Sequence, residues 1–452
     1  MNPKTCYDWK PLLLDHASIE ALQSPAYRHF IFDAAIAPGC RLLLARHQRC
    51  PAWPFVETKF NPNTGRDLPA ESYNLVFAWF LGRGSEALDD HLHELDRIES
   101  LTSSERRAIR HLFTEWVSNM TQAIVRIADL HHDRIPFRVN RDLQAVDAKG
   151  QPAQPDPTRV GAGDIFCAKG LLSNQDPAVQ QRAFALLQRA AGLVRSNHDE
   201  VEQTAPPPGR GHGMRMLMQG AGSCFARKAF DPAVRSAALD MAAGFLGEVL
   251  QAHYNPSTAV FAEYVDPASG NQLPILDPGH ANELVGLGLG MIEQLERSPL
   301  AQKHAGLIAC ARRELPRLLL KSTELGYNSR HPGLYKTVDS RTGAPLNSDM
   351  PWWNLPETMR AAVRACTVAE TASIRTQCLE LFRLCHNAYF SHYPNRANML
   401  FPFQTRDGKT GHVLDVVPAV PEGDPLYHAN GAFLDMLAVL ERISQGGREP
   451  AP

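Results

Sequence analysis

Apolar residues recur at three- and four-residue intervals along most of the chain, the period of a helix with one buried stripe. The pattern predicts helices near 17–24, 71–89, 104–131, 163–172, 176–197, 214–226, 232–252, 279–296, 301–325, 355–369, 371–391 and 426–445. Connectors rich in proline and glycine separate them, among them 151–160, 204–213 and 328–349. Strand-like stretches are confined to connectors, at 137–150, 259–271 and 399–416. The first and third carry turn signals, Asp147–Gly150 and Asp407–Gly408, that suit small hairpins.

About twelve helices joined by alternating connections predict an all-α fold. The expected architecture is an (α/α)6 barrel, six inner helices wrapped by six outer ones, with short β-hairpins in the connecting loops. A helical solenoid would show a repeat of roughly 33–47 residues, and none is present. The long connectors are expected to gather at one mouth of the barrel. One catalytic domain is expected over residues 1–452, with flexible ends at about 1–10 and 446–452.

Composition narrows the class. With 452 residues and 44% hydrophobic content, a sizeable core is available. A net charge of -2 with no basic block gives no field for nucleic acid. No apolar run approaches the ~20 residues that span a bilayer. No basic segment followed by an apolar run opens the chain, so a cytoplasmic location is expected. The nine cysteines are scattered without a CxxC, which suits reduced thiols and argues against a zinc site.

Three helix starts concentrate polar and aromatic chemistry. The first is Asp277-Pro278-Gly279-His280-Ala281-Asn282-Glu283, where Asp277 suits an N-cap and Pro278 the first helical position. His280 and Glu283, three apart, share a helical face. Gly286, Gly288 and Gly290 follow, and close helix–helix approach is the expected return for their low helix propensity. The second start is Met350-Pro351-Trp352-Trp353-Asn354-Leu355-Pro356-Glu357, which holds two of the six tryptophans. Aromatic faces beside an acid suit a carbohydrate, whose C–H faces stack and whose hydroxyls donate. The third, Asp424-Pro425-Leu426-Tyr427-His428-Ala429-Asn430-Gly431, repeats cap, proline and histidine. The positive end of a helix disfavours imidazolium, so both histidines are expected to stay neutral and to serve as acid–base groups. Glu263, on a strand-like connector ahead of His280, is a further pocket candidate.

Together these elements resemble the N-acylglucosamine 2-epimerase superfamily, which includes cellobiose 2-epimerases and mannose isomerases. The residues that carry the resemblance are Pro278-Gly279-His280-Ala281-Asn282-Glu283, Trp352-Trp353 with Glu357, and Tyr427-His428, with a weaker match at Asp164–Leu171. The resemblance implies an (α/α)6 barrel that opens a reducing sugar, removes the C2 proton to give a cis-enediolate, and returns it to C2 or C1. Carried over, it makes His280 and His428 the acid–base pair. Glu283 and Glu357 orient them or the sugar, and Trp353 packs on the sugar ring. It implies a small-molecule sugar substrate, no metal, no redox cofactor, no nucleic-acid or membrane partner, and a possible homodimer. The chain departs from the family in its N-terminal half. Asn74 aligns where many members carry an arginine, and Arg83 lies further along the same predicted helix. Met216 and Gln219 stand where a histidine and a glutamate are common, with His212 and Arg215 nearby but shifted. The alternatives are an (α/α)6 glycoside hydrolase or lyase using Glu283 and Glu357, and a non-catalytic carbohydrate-binding barrel.

Overall fold

The computed structural model describes residues 11–199, 208–395, 405–415 and 424–445. Its α-helices are α1 (Ile19–Leu22), α2 (Pro25–Ile31), α3 (Ala37–Arg49), α4 (Ala78–Glu94), α5 (Ser103–Leu130), α6 (Ala162–Gly170) and α7 (Pro177–Arg195). They continue with α8 (Gly213–Lys228), α9 (Pro232–His253), α10 (Pro278–Glu296), α11 (Ala305–Gly326), α12 (Asn354–Val368), α13 (Ala372–His392) and α14 (Ala432–Ser444). Packing sorts them into two layers. α4, α6, α8, α10, α12 and α14 touch in succession as an inner ring, and the turn Tyr427–Gly431 that leads into α14 closes it against α4. α5, α7, α9, α11 and α13 each lie outside the inner helix that precedes them, and α3 packs on α5 to complete the outer layer. This is the expected (α/α)6 barrel.

Local chemistry sets the helix starts. Asp-Pro opens three of them: the side chains of Asp176, Asp231 and Asp277 accept from the backbone N–H of Ala178, Ala233 and His280, and a proline follows where no N–H is needed. Thr102 and Glu105 form a capping box at α5. Between the layers lie large side chains sealed from solvent, including Phe113 and Trp116 of α5, Phe225 of α8, Phe245 of α9 and Phe382 of α13. At the α4–α6 crossing two glycines meet. A Cβ on Gly82 would sit 2.2 Å from the Phe166 carbonyl oxygen, and one on Gly170 would sit 2.6 Å from the Gly82 Cα.

Three expectations need correction. The stretch 17–24 contributes only the four-residue α1, whereas 25–49, for which the pattern predicts no helix, supplies an outer helix. Pro38 and Gly39 look like breakers, yet a π-helical turn, Phe32–Ile36, precedes the proline and lets the chain continue. The helix expected at 71–89 begins at Ala78, because Val76–Phe77 pairs instead as a short strand with Arg138–Val139. The glycines of α10 serve more than close helix contact, although a Cβ on Gly286 would lie 3.7 Å from the Ala361 Cα of α12. A Cβ on Gly286 would lie 3.0 Å from Arg360 Nε and one on Gly290 3.1 Å from Arg364 Cζ, so both make room for arginines of α12, while Gly288 faces Leu315 of the outer layer.

Strands are short and lie in the connectors, as expected. Thr405–Asp407 pairs with Val413–Leu414 in the expected hairpin, while 137–150 makes only isolated bridges beyond its pairing with Val76–Phe77. The part of this hairpin segment at 399–404, the end of it at 416, and the chain ends expected to be flexible lie outside the described residues.

Candidate active site

Short strand pairings between connectors deliver the polar residues to one mouth. Gly211 pairs antiparallel with Tyr264, so His212, the next residue, falls opposite Glu263. Glu263 donates its backbone N–H to the Ile275 carbonyl at 2.7 Å, two residues before the cap of α10. Leu276 in turn pairs with Val338, which brings Lys336 to Asp277. The starts of α8, α10, α12 and α14 thereby present His212, His280, Trp353 and His428 together.

Trp353 stands between the two candidate histidines. Its ring centroid lies 5.5 Å from that of His280 and 5.4 Å from that of His428, tilted by 33° and 35°. Gly279 permits this approach, since a Cβ there would lie 2.2 Å from Asn354 Oδ1 and 2.9 Å from the Trp353 ring. His280 is partly exposed. Its Nδ1 lies 3.1 Å from Glu263 Oε1 and 3.3 Å from Asp277 Oδ2. The other oxygen of Glu263 takes His212 Nε2 at 3.1 Å. His428 is buried, with Nδ1 3.0 Å from Glu357 Oε1. Asp424 caps its turn by accepting from the backbone N–H groups of Tyr427 and His428. Among the described residues, neither histidine's Nε2 has a hydrogen-bond partner. Each ring is therefore held through Nδ1.

The expectation that both helix starts lower histidine proton affinity holds at one site only. Burial, followed by the Arg83 guanidinium, pushes His428 down to about 3. At His280 burial also opposes the charge, but the Asp277 and Glu263 carboxylates outweigh it and Lys336, so its affinity is raised. Glu263 is held well below the usual carboxylate range: burial works against its charge, and His212 and His280 more than reverse that. Burial raises Glu357 despite Arg360, Arg83 and Lys169, and lifts Asp424 to about 7.

Glu283 does not pair with His280. It converges on Glu357 and His428, whose ligand atoms and its own lie within 4.8 Å of one another. Arg360 ion-pairs with Glu357. Two trios, His212–Glu263–His280 and Glu283–Glu357–His428, hold the atom types of a cation site. A divalent ion would have to displace the bonds within each trio, and in the second also the Arg360 guanidinium. A cavity of about 70 Å³ is lined by residues that include Lys169, Arg360, Tyr427 and Asp435.

Asn74 is a miss. It is exposed in the turn Ala70–Asn74, ahead of the helix rather than in it. Because α4 starts at Ala78, Arg83 falls in its second turn, where its guanidinium lies over the rings of Trp79, Phe166 and Tyr427 at 4.8, 4.2 and 5.0 Å. Its charge reaches His428, Glu357 and Asp424. Arg83 thus occupies the wall for which Asn74 was expected. Lys336, over Trp353 at 5.4 Å and 2.5 Å from Asp277, carries no sequence signal beyond its place in a long connector. Arg360 is legible in hindsight as the i, i+3 partner of Glu357.

No protein-family model and no curated protein matches the chain by sequence. Solved structures match by shape. Cellobiose 2-epimerase from Spirochaeta thermophila DSM 6192 superposes with a TM-score of 0.62 at 14% identity, over 94% of this chain and 98% of that one. A D-mannose isomerase does so with a TM-score of 0.61 at 14% identity, over 92% and 99%. A mutant unsaturated glucuronyl hydrolase from Streptococcus agalactiae reaches 0.50 at 10% identity, over 96% and 97%. The chain therefore has the barrel fold of carbohydrate epimerases and isomerases, a fold also found in a glucuronyl hydrolase. Among the described residues, no helix is long and apolar enough to cross a membrane.

Proposed function

We propose that this chain belongs to the N-acylglucosamine 2-epimerase superfamily and acts as a sugar 2-epimerase or aldose–ketose isomerase on a monosaccharide or a derivative of one. The observation that carries this reading is the histidine pair. His280 and His428 flank Trp353, each is tied through Nδ1 to a carboxylate, and their proton affinities are pushed in opposite directions. Such divergence marks an acid and a base.

His428, neutral, is the base. Its Nε2 takes the C2 proton of the opened sugar, and the C2–H electron pair forms the C1–C2 double bond while charge moves to the carbonyl oxygen. Glu357 accepts from Nδ1 and steadies the imidazolium that forms. His280, whose carboxylate partners favour its protonated form, gives a proton from Nε2. Delivery to the opposite face of C2 re-forms the C1 carbonyl and yields the epimer; delivery to C1, with the O2 hydroxyl proton passing to O1 so that C2 becomes the carbonyl, yields the ketose. Arg83 on one side and Lys336 on the other supply positive charge while the enediolate exists. Trp353 offers its ring to the sugar.

A glycoside hydrolase is the second reading. A carboxylate oxygen of Glu283 and one of Glu357 lie within 4.8 Å of each other, close enough for a retaining pair, whose carboxyl groups stand roughly 5 Å apart. Against it, Glu357 is already engaged by His428 and Arg360. Assays on aldoses, ketoses and glycosides with His280→Asn, His428→Asn, Glu283→Gln and Glu357→Gln separate the two. The isomerase reading predicts sugar interconversion lost by about 10²-fold or more in either histidine variant. Glycoside cleavage that survives both histidine variants and dies in both glutamine variants would establish the hydrolase. Sugar binding without turnover in the wild type would indicate a non-catalytic barrel.

A further inference from the structure

His212 is placed at a helix start but does not do the work of a helix start. It is the N-cap residue of α8, yet its side chain makes no cap bond. Its ring turns sideways instead, with no solvent exposure, and Nε2 meets Glu263 at 3.1 Å. Two neighbours hold it there. Phe261 lies edge-on at 4.7 Å and 88°, and His253 lies at 5.7 Å and 66°. Nδ1 is buried and has no hydrogen-bond partner among the described residues. An unpartnered buried polar atom is destabilising, so packing alone gives no reason for histidine here. The partner of Nε2 assigns the tautomer: an ionised carboxylate oxygen can only accept, so the proton sits on Nε2 and His212 donates to Glu263.

This donation has a consequence for His280. With one Glu263 oxygen occupied by His212, the carboxylate cannot rotate freely, and its other oxygen faces His280 Nδ1 at 3.1 Å. The His280 proton is thereby kept on Nδ1 in the neutral ring, and Nε2 becomes the exchanging atom. We infer that His212 is a positioning residue that, through Glu263, fixes the tautomer and orientation of His280. The antiparallel pairing of Arg210–Gly211 with Tyr264–Val265 is the device that sets it there. The groups that face His280 are Asp277, Glu263 and Lys336, with His212 behind Glu263 and His428 beyond Trp353. His253 donates from Nδ1 to the Ala262 carbonyl at 2.9 Å and, pushed down to about 3 by burial and by His212, adds no charge at neutral pH.

The functional consequence rests on the reading of His280 as proton donor, but the geometric one does not, and the two are tested separately. Full-length protein labelled with ¹⁵N-histidine reports tautomer and titration of each ring, and His280→Asn assigns the signal. In the wild type, neutral His280 is expected as the Nδ1–H tautomer. In His212→Phe the Nε2–H tautomer is expected to appear, with the His280 midpoint about 0.5 pH unit lower or more as Glu263 loses its anchor. His212→Gln, whose amide can still donate to Glu263, should behave as wild type. If His212→Phe does not give a folded spectrum, His212→Asn, too short to reach Glu263, serves in its place with the same expected result. A folded variant lacking the donor, with His280 tautomer and midpoint unchanged, would overturn the inference. With a turned-over sugar in hand, kcat should fall about tenfold with KM little changed and recover in His212→Gln. Absence of turnover in the wild type would refute the catalytic reading and leave the spectroscopic result standing.

Discussion

His280 and His428 occupy equivalent helix starts, and what separates them is the number and sign of nearby charges. His428 sits among buried residues near two guanidiniums, and His280 against two carboxylates. The sign of the pH dependence follows. The raised affinity of His280 means its proton is present at low pH and lost as pH rises through a midpoint above 6.5. His428 takes up a proton only near 3. The turnover profile should therefore fall on the alkaline side, with no acid limb from His428 between about pH 5 and 6.5. Glu263→Gln should move the alkaline limb to lower pH. A second residue carries a stability prediction. His386, packed among Tyr27, Phe30, Phe382 and Phe390, is pushed down to about 4 by burial. Unfolded, it protonates near 6.5, so the stability it contributes is whole above that value and is lost as pH falls toward 4. Urea denaturation of His386→Phe against wild type should show a gap that grows in the variant's favour on acidification, by up to about 1.4 kcal/mol per pH unit.

At the scale of elements, the site is assembled by connectors and fixed by backbone proximity. Gly279 lets the start of α10 lie against the start of α12. Gly279→Ala should lower stability by about 1–3 kcal/mol, and misalignment of His280 and Trp353 should cut turnover about tenfold or more. Gly192 on α7 is the contrast. An added Cβ there would meet nothing within 4 Å, so Gly192→Ala should be neutral or should stabilise by up to about 1 kcal/mol. Thermal denaturation of both variants checks the pair. These elements also mark what could be read from sequence. The Asp-Pro caps and 3.6-residue periodicity made α5 to α14 legible within a few residues. The 25–49 segment was not, because a π turn hides a continuous helix behind Pro38 and Gly39. His280, His428, Glu283, Glu357, Trp353 and Glu263 meet in space, since each belongs to or precedes a recognisable helix start. His212, Arg83 and Lys336 required tertiary knowledge: two-residue strand pairings bring His212 and Lys336 in, and the true start of α4 brings in Arg83.

For the whole molecule, we propose that residues 1–452 act as one domain, because the ring closes only when the turn before α14 meets α4. The chain that begins with α4 and the chain that ends with α14 then depend on each other, and truncation before residue 424 should leave a protein that lacks a cooperative thermal transition. The barrel itself does not choose the reaction, since the same architecture serves isomerases and a hydrolase. The choice rests on proton transfer at carbon. Solvent-exchange NMR in D₂O against a panel of aldoses and ketoses tests that claim most directly. The account predicts deuterium at C2 or C1 of a sugar turned over by the wild type, at a rate reduced about 10²-fold or more in His280→Asn and His428→Asn. Folded wild-type protein that introduces no deuterium into any sugar, or exchange that persists unchanged without both histidines, would contradict it.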